Sequence, residues 1–65
     1  MTIHELNEKD TFTHIFDKGL YFNAEIKGKI KDVNRRWVDC VVYEDFEGNT
    51  YHRPLQEFLE RFKPY

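Results

Sequence analysis

The chain has 65 residues, enough for one small domain spanning 1–65, and a domain of that size buries only roughly 60% of the surface its unfolded form exposes. Hydrophobic residues make up 40% of it and charged residues 34%, with six Phe, four Tyr and one Trp, an apolar bulk that excludes an intrinsically disordered chain. The net charge of -2 excludes a strong overall attraction to nucleic acid or anionic membranes, so any such affinity belongs to a local patch.

Residues 1–10 are polar, with Ile3 and Leu6 at i, i+3 spacing, which fits one helical turn or a loosely ordered arm. "TFTHIF" at 11–16 alternates as a short strand does, and "DKG" supplies a turn in which Gly19 is free to take positive φ. In "LYFNAEIKGKIKDV", period-two patterning puts Leu20, Phe22, Ala24 and Ile26 on the expected buried face of a second strand. Gly28 breaks that pattern and marks a bulge or bend. "NRR" at 34–36 turns into "WVDCVVYE", the strongest strand of the chain, with Val38, Cys40 and Val42 expected in the core and Trp37, Asp39, Val41 and Tyr43 on a half-covered surface.

"DFEGN" turns again into the strand "TYHR", and Pro54 opens a helix where its missing N–H costs nothing. Leu55, Phe58, Leu59 and Phe62 recur at helical spacing as one apolar face, and Pro64 limits the helix. The order predicts a β-rich α+β fold. Four to five strands form a small, strongly bent antiparallel sheet, an SH3-like barrel or a relative of it, with one short C-terminal helix.

A lone cysteine, Cys40, allows no internal disulfide, and the scattered His4, His14 and His52 lack zinc-site spacing, so no metal or other cofactor is expected. Among the usual supports of a very small core, that leaves self-association as a homo-oligomer. No apolar run approaches the roughly 18 residues of a membrane span, and the N-terminus has neither a basic start nor a secretory apolar stretch. With one unpaired thiol, the expected location is the cytoplasm.

Catalysis finds little support. The chain has no serine, and Cys40 sits among valines, where a thiol behaves as a small buried hydrophobe. "DFEGNTYHRPLQ" places Asp45, Glu47 and Asn49 like the start of a calcium loop, but Thr50 stands where that loop needs glycine and Gln56 where it needs a bidentate Glu.

Two groups of residues remain as candidate contact surfaces. Tyr21, Trp37, Tyr43, Arg53 and His14 could line a shallow groove in which rings stack on a flat ligand and the guanidinium pairs with an anion, a surface suited to a protein or a nucleotide-like ligand. The bland reading has these rings covering the outer core while Arg53 pairs with Glu57 or Asp39. Lys27, Lys29 and Lys31 alternate along one extended stretch, followed by Arg35, Arg36 and Trp37, a positive stripe with an aromatic platform that suits nucleic acid. Here the bland reading is an edge strand whose lysines discourage aggregation, and the acidic net charge makes nucleic acid the lesser expectation.

Several short motifs carry a family resemblance. Phe12 and His14, then Lys18, Gly19 and Tyr21, then Val41, Val42 and Tyr43, then Arg53, Pro54, Leu55 and Phe58 resemble the signature of an uncharacterised bacterial and phage small-domain family, domain-of-unknown-function family 1653. Relative to that pattern, "IFD" stands as an insertion before Lys18, and Tyr21 follows Gly19 one residue early. The resemblance implies a small curved β-domain with no assigned reaction and, by analogy with phage members, a host-takeover or anti-defence protein. The expected function is a non-enzymatic binding module acting through the aromatic and Arg53 groove, with the Lys27 to Arg36 stripe as the alternative.

Overall fold

Thr2 starts the first element. Its hydroxyl accepts the Glu5 N–H at 3.2 Å while the Glu5 carboxylate accepts the Thr2 N–H at 3.0 Å, a reciprocal cap that fixes helix α1, Ile3–Glu8. The N-terminal ammonium donates to the Leu59 carbonyl at 2.7 Å, and Leu6 is buried in the core, so the segment is a packed helix and not a loose arm.

The structure is a computed structural model that describes residues 1–65. After α1 come β1, Thr11–His14; β2, Leu20–Lys31; β3, Trp37–Asp45; β4, Thr50–Pro54; α2, Leu55–Arg61; and β5, Phe62–Pro64. The strands form one antiparallel sheet in the order β4-β3-β2-β1-β5. This is a small β-rich α+β fold with a short C-terminal helix. The sheet is not closed into a barrel: β4 and β5 are its two edges, and α2 stands between them in the chain where a closing ladder would have to form.

The core lies on one face of the sheet, under both helices: Leu6, Phe12, Val41, Tyr43, Phe58 and Phe62, with Met1, Tyr21, Ala24, Leu55 and Leu59 packed against it. Burying a ring such as Phe58 contributes about 1.5–3 kcal/mol relative to leaving it exposed. Phe58 and Phe62 stack at 4.3 Å, and Phe12 meets Phe58 edge-on at 5.7 Å.

Two expectations about facing and one about the end of the helix need correction. On β3, Val41 and Tyr43 enter the core, whereas Val38 and Val42 lie half-buried on the opposite face beside the buried Cys40. On β2, Leu20 and Ile26 are exposed, and the core takes Tyr21 and Ala24. The cause on β2 is a register shift between Phe22 and Glu25, where Asn23 adopts φ 54°, so the inward phase moves from odd to even residues. Gly28, at φ 72°, makes a second shift between Ile26 and Lys29, at the position the sequence marks as a bend. Helix α2, finally, ends at Arg61; Phe62 keeps its inward aim but begins β5, pairing with His14 of β1.

Candidate functional site

The structure gathers Tyr21, Tyr43, Arg53 and His14 around Phe62. Register alone places Arg53 opposite Val41 and Tyr51 opposite Tyr43 on the core side of the sheet. Arg53 donates from Nε to the Tyr43 hydroxyl at 3.0 Å and from Nη1 to the Glu57 carboxylate at 2.6 Å, and its guanidinium lies 5.6 Å from the Phe62 ring centre. Its side chain keeps 27% of its surface. Burial opposes the Arg53 charge, but the Tyr43 and Glu57 contacts outweigh it and hold the pKa above its ordinary value. Arg53 is therefore a clamp joining β4, β3 and the first turn of α2.

The rings around it brace one another. Tyr21 meets Tyr43, Tyr51 and Phe62 edge-on at 5.5, 6.0 and 5.3 Å, and Tyr43 stacks on Tyr51 at 5.5 Å. Burial first, then the Asp17 carboxylate, raises the Tyr21 pKa. The His14 Nδ1 accepts the backbone N–H groups of Phe16 and Asp17 at 3.2 and 3.3 Å while the ring sits edge-on to Phe62 at 4.9 Å. Asp45 accepts from the Asn49 side chain at 3.0 Å, the Tyr51 hydroxyl at 2.7 Å and the Glu47 and Asn49 N–H groups at 2.9 Å. Those donors hold its pKa at about 2, Asn49 and Tyr51 contributing most.

Trp37 is not part of this cluster. Six residues along β3 separate it from Tyr43, about 20 Å of strand. It belongs instead to the β2–β3 hairpin, which runs past its neighbours: the β1 ladder stops at Phe22 and the β4 ladder at Cys40. The turn is held by Asp32, whose carboxylate accepts the Asn34 and Arg36 N–H groups at 2.8 and 3.0 Å, and the Arg36 contact lowers the Asp32 pKa most.

On this hairpin Lys29 pairs across the strands with Asp39 at 2.5 Å, and the Lys31 ammonium lies 5.4 Å from the centre of the Trp37 ring. Trp37 itself is 66% exposed. The Gly28 bulge separates Lys27 from Lys29 and Lys31 in register. Arg36 reaches Asp32 only at 3.9 Å, and Lys27, Lys31 and Arg35 form no ion pair. Five cations and two carboxylates between Ile26 and Val41 leave the hairpin at +3, against -5 for the remainder of a chain whose net charge is -2.

Two shallow grooves flank these surfaces. One lies between the hairpin turn and α2, lined by Asp32, Val33, Val38, Pro54, Glu57 and Glu60, and the other runs between α1 and β2 beside Asn23. No three His, Cys, Asp or Glu side chains gather to hold a metal; such side chains meet only in pairs, His4 with Glu8 at 3.1 Å, His14 with Asp17 at 3.7 Å and Cys40 Sγ with His52 Nδ1 at 3.9 Å. No helix is long and apolar enough to cross a membrane.

No family model, curated protein or solved structure matches the chain. Within the fold, the Arg-Pro-Leu-x-x-Phe run is a structural unit: Arg53 clamps, Pro54 precedes α2, and Leu55 and Phe58 pack into the core. Sequence reasoning misses Tyr51, Phe62 and Asp45 as members of the cluster. The signal that was present is Tyr51 two residues before Arg53 on one strand, which puts both on one face.

Proposed function

We propose that this protein is a non-enzymatic binding module whose contact element is the β2–β3 hairpin and whose partner is single-stranded nucleic acid. One observation carries the reading: an exposed Trp37 ring stands on an extended hairpin beside Lys31 and Arg35, neither of which has a carboxylate partner. The face of the ring that Lys31 does not cover stacks on any base, and unpaired cations beside it take phosphates. The groove around Arg53 supports ligand binding less well, because Glu57 and Tyr43 already satisfy the guanidinium and Tyr43 is buried. The acidic remainder of the molecule favours contact at one end by a flexible strand over lengthwise contact with a duplex.

Trp37 is the only tryptophan, so its fluorescence reports the contact directly. Oligothymidylate should quench it with Kd on the order of 10⁻⁵ M at low salt. With about three phosphates neutralised, log K should fall with log salt at a slope of about -2, a loss of roughly 16-fold between about 50 and 200 mM. A fluorescence signal unmoved by oligonucleotide at low salt sinks this reading and leaves a protein surface as the partner.

A further inference from the structure

The hairpin's opposite in character lies at the other end of the same strand. β3 begins at Trp37 and ends at Asp45, eight steps or about 27 Å of strand, with the β2–β3 turn at one end and the β1–β2 and β3–β4 turns together at the other. These two turns and the end of β3 carry Asp17, Glu44, Asp45 and Glu47 against a single Lys18. None of the four carboxylates is paired with a lysine or arginine. They wrap both faces of this end: Tyr21 pairs with Asp45 in register and its ring meets Tyr51, which hydrogen-bonds Asp45, while Glu44 pairs with Phe22 on the opposite face, beside Phe46, and accepts from the Asn23 side chain at 2.5 Å.

This acidic end also exposes large apolar rings. Phe46 is 87% exposed with its ring 6.3 Å from that of Phe22, and Phe16 is 73% exposed beside His14. The hairpin end does the same in the opposite charge: Val33 is 91% exposed and Trp37 stands among Lys31, Arg35 and Arg36. The two ends thus match: both expose aromatic and apolar surface, and their charges are of opposite sign. Because both lie on one strand, an end cannot satisfy the other within a single molecule.

We propose that a second copy of this chain docks its β2–β3 hairpin onto the acidic aromatic end formed by the β1–β2 and β3–β4 turns. Arg35 and Arg36 of one copy meet Glu44 and Glu47 of the next, and Val33 and Trp37 cover Phe46. The contact is heterologous: it leaves a free hairpin on one copy and a free acidic end on the other, so association continues past a dimer unless the rotation closes a ring. The inference stands on the charge and exposure of the two ends and holds whether or not the hairpin also takes nucleic acid.

Charge reversal at one end at a time tests it. In Arg35→Glu/Arg36→Glu the hairpin is repelled by the acidic end, and in Glu44→Lys/Glu47→Lys the acidic end is repelled by the hairpin; neither pair touches Asp45 or Asp17, which hold the turns. The wild-type mass by light scattering should rise with concentration between about 10 µM and 1 mM. The rise should shrink as salt goes from about 10 mM to 150 mM and the Debye length contracts. Each variant alone, folded by circular dichroism, should remain a monomer. Mixed in equal amounts they should associate again, because the intact hairpin of one variant meets the intact acidic end of the other and the two reversed ends are themselves opposite in charge. A wild type that stays monomeric at low salt, a variant that still associates alone, or a mixture that stays monomeric overturns the proposal.

Discussion

The Arg53 cluster and the β2–β3 hairpin are built from the same residue types, aromatic rings beside cations, and use them in opposite ways. Around Arg53 every polar group has a partner inside the molecule: Glu57 and Tyr43 for the guanidinium, Asp45 for the Tyr51 hydroxyl, backbone N–H groups for His14. On the hairpin Trp37 and three cations have partners only in part or not at all. Composition does not separate a brace from a contact surface. What separates them is whether the sheet continues on both sides, as it does at Tyr43 and does not at Trp37.

The largest expected effects set the two regions furthest apart. Phe58→Ala removes a fully buried ring that touches Phe12, Tyr43 and Phe62, and should cost about 3–5 kcal/mol of unfolding free energy, enough to unfold a domain of this size at ambient temperature. Trp37→Ala should leave stability within about 0.5 kcal/mol, since the ring is mostly exposed, while abolishing the oligonucleotide response. With the tryptophan gone, that response is read by anisotropy of a labelled oligonucleotide. A large stability loss in Trp37→Ala would erase the distinction.

Arg53→Met asks whether the brace is also a site. The variant keeps an apolar stem against Phe62 but leaves Glu57 and the Tyr43 hydroxyl without their donor, and should destabilise by about 1–3 kcal/mol in urea unfolding. Oligonucleotide affinity should stay at the wild-type value. The reverse pattern, stability kept and binding lost, would move the contact surface to the Arg53 groove.

How far the sequence discloses this contrast can be followed residue by residue. The glycine bend at 28 and the helical spacing of Leu55, Phe58 and Leu59 are local signals that the structure uses where the sequence puts them, whereas Pro54 ends β4, paired with Cys40, and caps a helix that opens one residue later, at Leu55. The facing of β2 is not local. Asn23 at φ 54° shifts the register by one residue; asparagine adopts this region more readily than most residues, but its presence in a strand does not by itself set a bulge there. β3 is apolar on both faces from Cys40 to Tyr43, so alternation there cannot choose between Cys40 and Val41; the helices choose by packing over Val41. The open sheet follows from a last strand of only three residues, which reads as the tail of a helix until its partner β1 is known.

A smaller effect separates the two bends of β2 and tests their role in presenting the hairpin. Gly28→Ala meets no atom within 4 Å, so its cost is backbone strain at φ 72° alone, about 1–2 kcal/mol. If the bend also aims the hairpin, oligonucleotide affinity should fall in this variant along with stability, a coupling that the Arg53 variant lacks.

The smallest effect belongs to acid titration of the braced end. Asp45 has a folded-state pKa of about 2, below its ordinary value of 3.8, so its contribution to stability is complete above the ordinary value and is lost as pH falls toward about 2. Four hydrogen bonds converge on this carboxylate, and protonation removes an acceptor from the Tyr51 hydroxyl that positions the stacked Tyr43 and Tyr51 rings. The melting temperature should therefore decline between pH 4 and pH 2, and Asp45→Asn, which cannot titrate, should show a shallower decline from a lower starting point. Equal slopes in the two proteins would mean that the Asp45 turn carries no share of the acid sensitivity, and that the braced end owes its order to the rings alone.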